Sequence, residues 1–155
     1  MTQPARSKAR SAARLAAVQA LYQQHMEGTP LARLLDEFHQ HRLGRTIDED
    51  AFDEAEYADA EVPFFDDIVR GVDARRDEID ALVATKLAAG WSLTRLDKAM
   101  LQVLRAGTYE LLARADIPVA VAISEYVDVA KAFFDDGQAK FVNGILDAVA
   151  KDARA

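Results

Sequence analysis

The chain has no cysteine, which removes disulfides, thiolate metal ligands and cysteine nucleophiles and fits a reducing cytoplasm. It also lacks long apolar runs. None approaches the span of a bilayer, and no apolar core follows the basic start as a signal peptide would require. Histidine is scarce: only His25, His39 and His41 occur. Two residues apart on a helix, His39 and His41 point in nearly opposite directions and cannot share a metal. There is no glycine-rich phosphate loop and no His-Glu-x-x-His pattern. Ser124-Glu125 has no histidine or lysine placed by sequence to complete a nucleophilic triad. Catalysis, metal binding and cofactors are therefore not expected.

Each sign of charge is missing from one stretch. Residues 1–26 contain no acid and carry Arg6, Lys8, Arg10 and Arg14, while residues 47–67 contain no base and carry ten acids. The net charge of −7 and the pI near 4.9 conceal this division. A local basic arm can hold phosphates while the whole protein stays acidic. The acidic run lacks the spacing and central glycine of a calcium loop and reads as a solvated loop over residues 46–61.

What remains is helical in pattern. Leu15, Val18, Leu21 and Tyr22 form a first apolar stripe that Gly28 ends as a C-cap. Thr29-Pro30 predicts an N-cap with proline at the first helical position, leading to Leu31, Leu34, Leu35 and Phe38. A third region runs from about Pro63 to Ala89, with Gly71 as the expected break and Gly90 as its close. Thr94-Arg-Leu-Asp97 fits a capping box before Leu96, Met100, Val103, Leu104, Leu111 and Leu112. Two more helices follow, one ending near Asp136-Gly137 and one beginning near Lys140. No stretch alternates with period two. The expectation is an all-α protein of six to seven helices in two packed sub-bundles, residues 1–89 with the acidic loop and residues 90–155.

Two segments carry candidate chemistry. Arg6, Arg10 and Arg14 recur every four residues, beside the core-facing stripe of the first helix. Cations at a helix N-terminus oppose the macrodipole, so stability alone would favour acids there. The functional reading is a phosphate clamp, with Ser7, Ser11 and Gln19 as further hydrogen-bond donors; the alternative is a frayed, solubilising tail. The second segment is Lys-Phe-Val-Asn-Gly-Ile-Leu-Asp from Lys140 to Asp147. Asn143 and Gly144 are costly in an amphipathic helix, which points to close helix packing, a ligand, or both.

Three segments then coincide: Arg14-x4-Gln19-Ala-Leu-Tyr22; Trp91-Ser-Leu-x-Arg-Leu-Asp97 leading to Leu104-Arg105-x3-Tyr109-Glu-Leu111; and Ile117-Pro-x2-Val121-Ala-Ile-x-Glu125 leading to Ala130-Lys131 and Lys140-Phe-Val-Asn-Gly144. In that order and spacing the chain resembles the NusB family of transcription antitermination factors over nearly its whole length. The resemblance implies two three-helix-type bundles that bind single-stranded boxA RNA together with NusE, a small-subunit ribosomal protein. It places that complex on RNA polymerase transcribing ribosomal RNA, in the bacterial cytoplasm. It implies RNA contacts at the basic segment matched by Arg6, Lys8, Arg10 and Arg14, and at aromatic positions matched by Tyr22 and by Phe141, which Lys140 and Asn143 flank. A basic track with aromatic faces is what an unstacked single strand needs.

Some relatives dimerise, so a homodimer is left open. The same module also occurs fused to ribosomal-RNA cytosine methyltransferases. The alternative reading is therefore a helical module working with an rRNA-modifying enzyme on a partner chain, since 155 residues leave no room for a methyl-donor domain. Ser124, Met100 and Gly137 depart from the residues common in the family. Met100 and Gly137 lie in regions the family uses for NusE, so the details of that contact do not carry over.

Overall fold

The computed structural model describes residues 3–41 and 61–155, and the acidic loop expected at 46–61 lies outside them except for Glu61. Seven α-helices and no strand occur among the described residues. They are α1 (Gln3–Glu27), α2 (Leu31–His41), α3 (Val62–Ala74), α4 (Arg76–Ala84), α5 (Lys98–Ala113), α6 (Val119–Phe133) and α7 (Asp136–Ala153), with a 3-10 turn at Leu93–Arg95. The chain divides into two compact units, Met1–Arg70 and Gly71–Ala155. Residues 71–89, which the sequence groups with the N-terminal half, thus fall in the second unit.

In the first unit the buried face of α1 is mostly alanine: Ala5, Ala9, Ala13, Ala16, Ala17 and Ala20, with Val18 and Leu21. The predicted stripe is displaced, because Leu15 is only half-buried and Tyr22 is exposed. Gly28 ends α1 as expected, at φ +69° with its N–H bonded to Gln24 O at 2.9 Å. Helix α2 begins one residue later than Thr29-Pro30 suggests, and the Pro30 carbonyl accepts from Leu34 N–H. Leu34, Leu35 and Phe38 of α2 are buried, as are Phe64, Phe65, Ile68 and Val69 of α3. Phe38 stacks on Phe65 with ring centroids 5.5 Å apart. His39 meets the edge of the same ring and bonds Asp66 through Nε2 at 2.6 Å.

The second unit is organised around α5, whose residues Met100–Leu111 are all buried. Helices α4, α6 and α7 pack against it. Its cap is Asp97, which accepts from Ala99 N and Met100 N at 2.8 and 3.2 Å. The predicted capping box is therefore displaced: Thr94 sits in the preceding 3-10 turn, and Asp97 takes the N-cap role directly. At the other end, the Arg154 guanidinium donates to the carbonyls of Glu110, Leu111, Arg114 and Ile117. This satisfies acceptors that a helix C-terminus leaves without intrahelical partners. The break between α3 and α4 falls at Arg75 (φ −112°, ψ 22°) rather than at Gly71. Arg75 donates two hydrogen bonds to Glu78, which hold that carboxyl below its ordinary range.

Of two glycines singled out in the sequence, one takes a different role and the other loses one of its two explanations. A Cβ on Gly71 would lie 2.1 Å from the Tyr109 ring, so Gly71 is the seat of an aromatic side chain and not a helix breaker. A Cβ on Gly144 would meet nothing within 4 Å, so close helix packing does not explain that residue. Gly71→Ala should destabilise by about 1–3 kcal/mol through overpacking, whereas Gly144→Ala should stabilise by about 0.5–1 kcal/mol through helix propensity. Urea unfolding of the two variants checks the contrast, and equal losses would contradict the packing described.

Candidate nucleic-acid interface

Six predicted site residues lie on α1, and they divide between two faces. At 3.6 residues per turn, Lys8, Gln19 and Tyr22 fall within about 60° of one another. All three are exposed, Tyr22 by 41%. Met26, 55% exposed, continues the line. The arginines lie elsewhere on the helix. A spacing of four residues advances about 40° around the axis at each step, and here the drift runs inward. Arg6 is exposed, Arg10 keeps 30% of its side chain in contact with solvent, and Arg14 is 3% exposed.

Phe64 at the start of α3 receives the inner two. The guanidinium carbons of Arg10 and Arg14 each stand 4.9 Å from the centroid of its ring. Each such contact is worth about 0.5–2 kcal/mol, more as it is desolvated. Arg10 Nε also lies 3.6 Å from Glu61 Oε2. Of the further donors, Ser11 Oγ donates to the Ser7 carbonyl at 3.0 Å along its own helix.

The second group lies on α7, whose N-cap Asp135 accepts from Gln138 N at 3.0 Å. Lys140 and Asn143 are exposed, and Phe141 is 36% exposed while Val142, Ile145 and Leu146 are buried. One side of Phe141 borders a groove of about 230 Å³, which it lines with Trp91, Arg95, Leu96, Asp97, Met100 and Gln138. Of the residues that depart from the family pattern, Met100 is buried apart from this edge, while Ser124 and Gly137 are exposed.

Sequence reasoning singled out neither Trp91, Phe64 nor Glu61 as functional. Trp91 carried a signal: it is the only tryptophan, stands in a short connection, and is 57% exposed. Phe64 and Glu61 carried none, since their relation to Arg10 arises only when α3 meets α1. No cluster of three or more potential metal ligands occurs among the described residues, and no described helix is long and apolar enough to cross a membrane.

The NusB family model matches residues 11–151. The transcription antitermination protein NusB of Novosphingobium aromaticivorans is 67% identical over 147 residues, covering 95% of this chain and 96% of its own. Among solved structures, T. maritima NusB matches with a TM-score of 0.74 and 35% identity, over 94% of this chain and 93% of that one. A crystal structure of antitermination factors NusB and NusE in complex with double-stranded RNA matches with a TM-score of 0.67 and 27% identity, over 97% and 99%. The chain thus belongs to the NusB family of transcription antitermination proteins.

Proposed function

We propose that this chain is a non-catalytic, RNA-binding antitermination factor that takes single-stranded boxA RNA of ribosomal RNA transcripts together with NusE. It would do so within the antitermination complex on RNA polymerase, in the bacterial cytoplasm. The observation that carries the reading is the pairing of exposed aromatic rings with exposed donors. Tyr22 stands in line with Lys8 and Gln19 on α1, and Phe141 stands beside Lys140 and Asn143 on α7. Cations meet phosphates, and open ring faces meet unstacked bases, which a single strand offers and a duplex does not. The related NusB crystallised with NusE and double-stranded RNA supports NusE and RNA as classes of partner, and the exposed rings favour a single strand as the form of that RNA.

In this reading Arg6, Lys8 and Arg10 contact phosphates, and Lys140 does so from α7. Arg14, buried on Phe64, acts as a positioning residue for the arginine row. Gln19 and Asn143 supply hydrogen bonds. The open space at Gly144 leaves the outer face of α7 accessible.

The double variant Arg6→Ala/Lys8→Ala should weaken RNA binding without changing the melting temperature. Its plot of log affinity against log salt should be shallower by about 1.4, at about 0.7 per lost single-strand phosphate contact. An unchanged slope would make the arm a solubilising tail.

Phe141→Ala separates stacking from packing. Loss of a stacking face costs about 1–3 kcal/mol of RNA binding, whereas loss of a core phenylalanine costs about 3–5 kcal/mol of stability. With its ring 36% exposed, the first outcome is expected, measured as affinity and thermal stability on the same samples. A large stability loss with normal affinity in the folded fraction would remove Phe141 from the interface.

The partnership itself is tested by titrating boxA RNA at zero and at saturating NusE. Coupling of about 1–3 kcal/mol is the usual range for linked sites and is expected here. Identical RNA affinities under the two conditions would rule out a cooperative complex.

A further inference from the structure

Residues 1–26 contain no acid, yet the middle arginine of the row has a carboxylate beside it. Glu61, the last acid before α3, is 8% exposed and lies 3.6 Å from Arg10 Nε through Oε2. That separation makes an ion pair but no hydrogen bond, and the buried Arg10 Nε has no hydrogen-bond partner. The contact is thus an attraction without the short, charge-assisted bond that a guanidinium can form with an oxyanion. Meanwhile the Phe64 ring holds the Arg10 guanidinium from another direction, at 4.9 Å. Removing the carboxylate would leave Arg10 in place.

We propose that Glu61 is a resident competitor for the phosphate at Arg10. In the free protein its carboxylate partly neutralises the arginine. When a strand binds, a backbone phosphate takes the Arg10 donors at short range, and the Glu61 carboxylate is released. The inference rests on the reading of the basic arm as an RNA contact and adds to it a built-in attenuator. Displacing Glu61 costs every polyanion that engages Arg10 the same free energy, so the carboxylate lowers the affinity of the arm by a fixed factor.

The test uses the full chain and a short single-stranded RNA of mixed sequence, followed by fluorescence anisotropy across a salt series. Glu61→Gln should bind up to about fivefold more tightly, the factor that corresponds to an ion pair near the protein surface. Its salt slope should steepen by up to about 0.7, because Arg10 then counts as a full phosphate contact. Glu27→Gln makes the same charge change about 25 Å along α1 from Arg10 and should give a clearly smaller gain. In an Arg10→Gln background, Glu61→Gln should give no gain. Melting curves accompany each variant. Should Glu61→Gln fail to fold, Glu61→Asp keeps the charge with a shorter reach and should give an intermediate gain.

A gain that persists without Arg10, a gain matched by Glu27→Gln, or no gain at unchanged stability would overturn the proposal. If Arg6→Ala/Lys8→Ala weakens binding while Glu61→Gln does not strengthen it, the competitor fails and the RNA arm stands. If the arm variants change nothing, the reading of the arm itself falls.

Discussion

Arg105 and Asp80 join α5 to α4 through two parallel hydrogen bonds of 2.8 Å, and the second unit is arranged around that pairing. Helix α5 has no outward face over Met100–Leu111, so the charge of Arg105 must find a partner inside the protein. An unpaired guanidinium there would cost several kcal/mol; the fork of Asp80 satisfies it and fixes the register of α4 in the same act. Gly107 then lets α7 approach, since a Cβ there would stand 2.8 Å from Leu146 Cδ1. Lys86 pairs with Asp152, tying the segment after α4 to the end of α7. With α7 held on its buried side, the outer side of that helix is free to present Lys140, Phe141 and Asn143.

The first unit solves a different problem. Its long helix carries a basic end that the macrodipole disfavours, and among the described residues an aromatic ring meets it. Phe64 receives two guanidiniums, which compensates part of their desolvation while leaving their charge in place. Among the described residues the Glu61 carboxylate approaches Arg10, and it does so at ion-pair distance only. The arginine row is therefore graded, from a solvated Arg6 to a buried Arg14, and the three residues cannot act alike.

Much of this was legible in the residues. The all-helical fold followed from apolar spacing, and the end of α1 followed from Gly28. The end of α6 expected near Asp136-Gly137 falls at Phe133 instead, and both of those residues lie in the first turn of α7. Two other errors share a cause. Local rules made Gly71 a helix breaker and placed Thr94 at the cap of α5. Both positions were decided by contacts a local window does not contain: a tyrosine from α5 in one case, and the entry turn at Leu93–Arg95 in the other. For Gly144 the sequence left packing and ligand as alternatives, and open space at its Cβ position removed the first.

The sequence by itself determined the helices, the family and the inventory of cations and aromatics on α1 and α7, because periodicity and short motifs are written along the chain. Tertiary structure alone decided how each of those side chains stands toward water. Arg6 and Arg14 are the same residue on the same helix at the same repeat, yet one is exposed and the other is 3% exposed. The difference arises because a four-residue step overshoots a 3.6-residue turn and carries the row beneath Phe64, a residue whose proximity no spacing along the chain encodes.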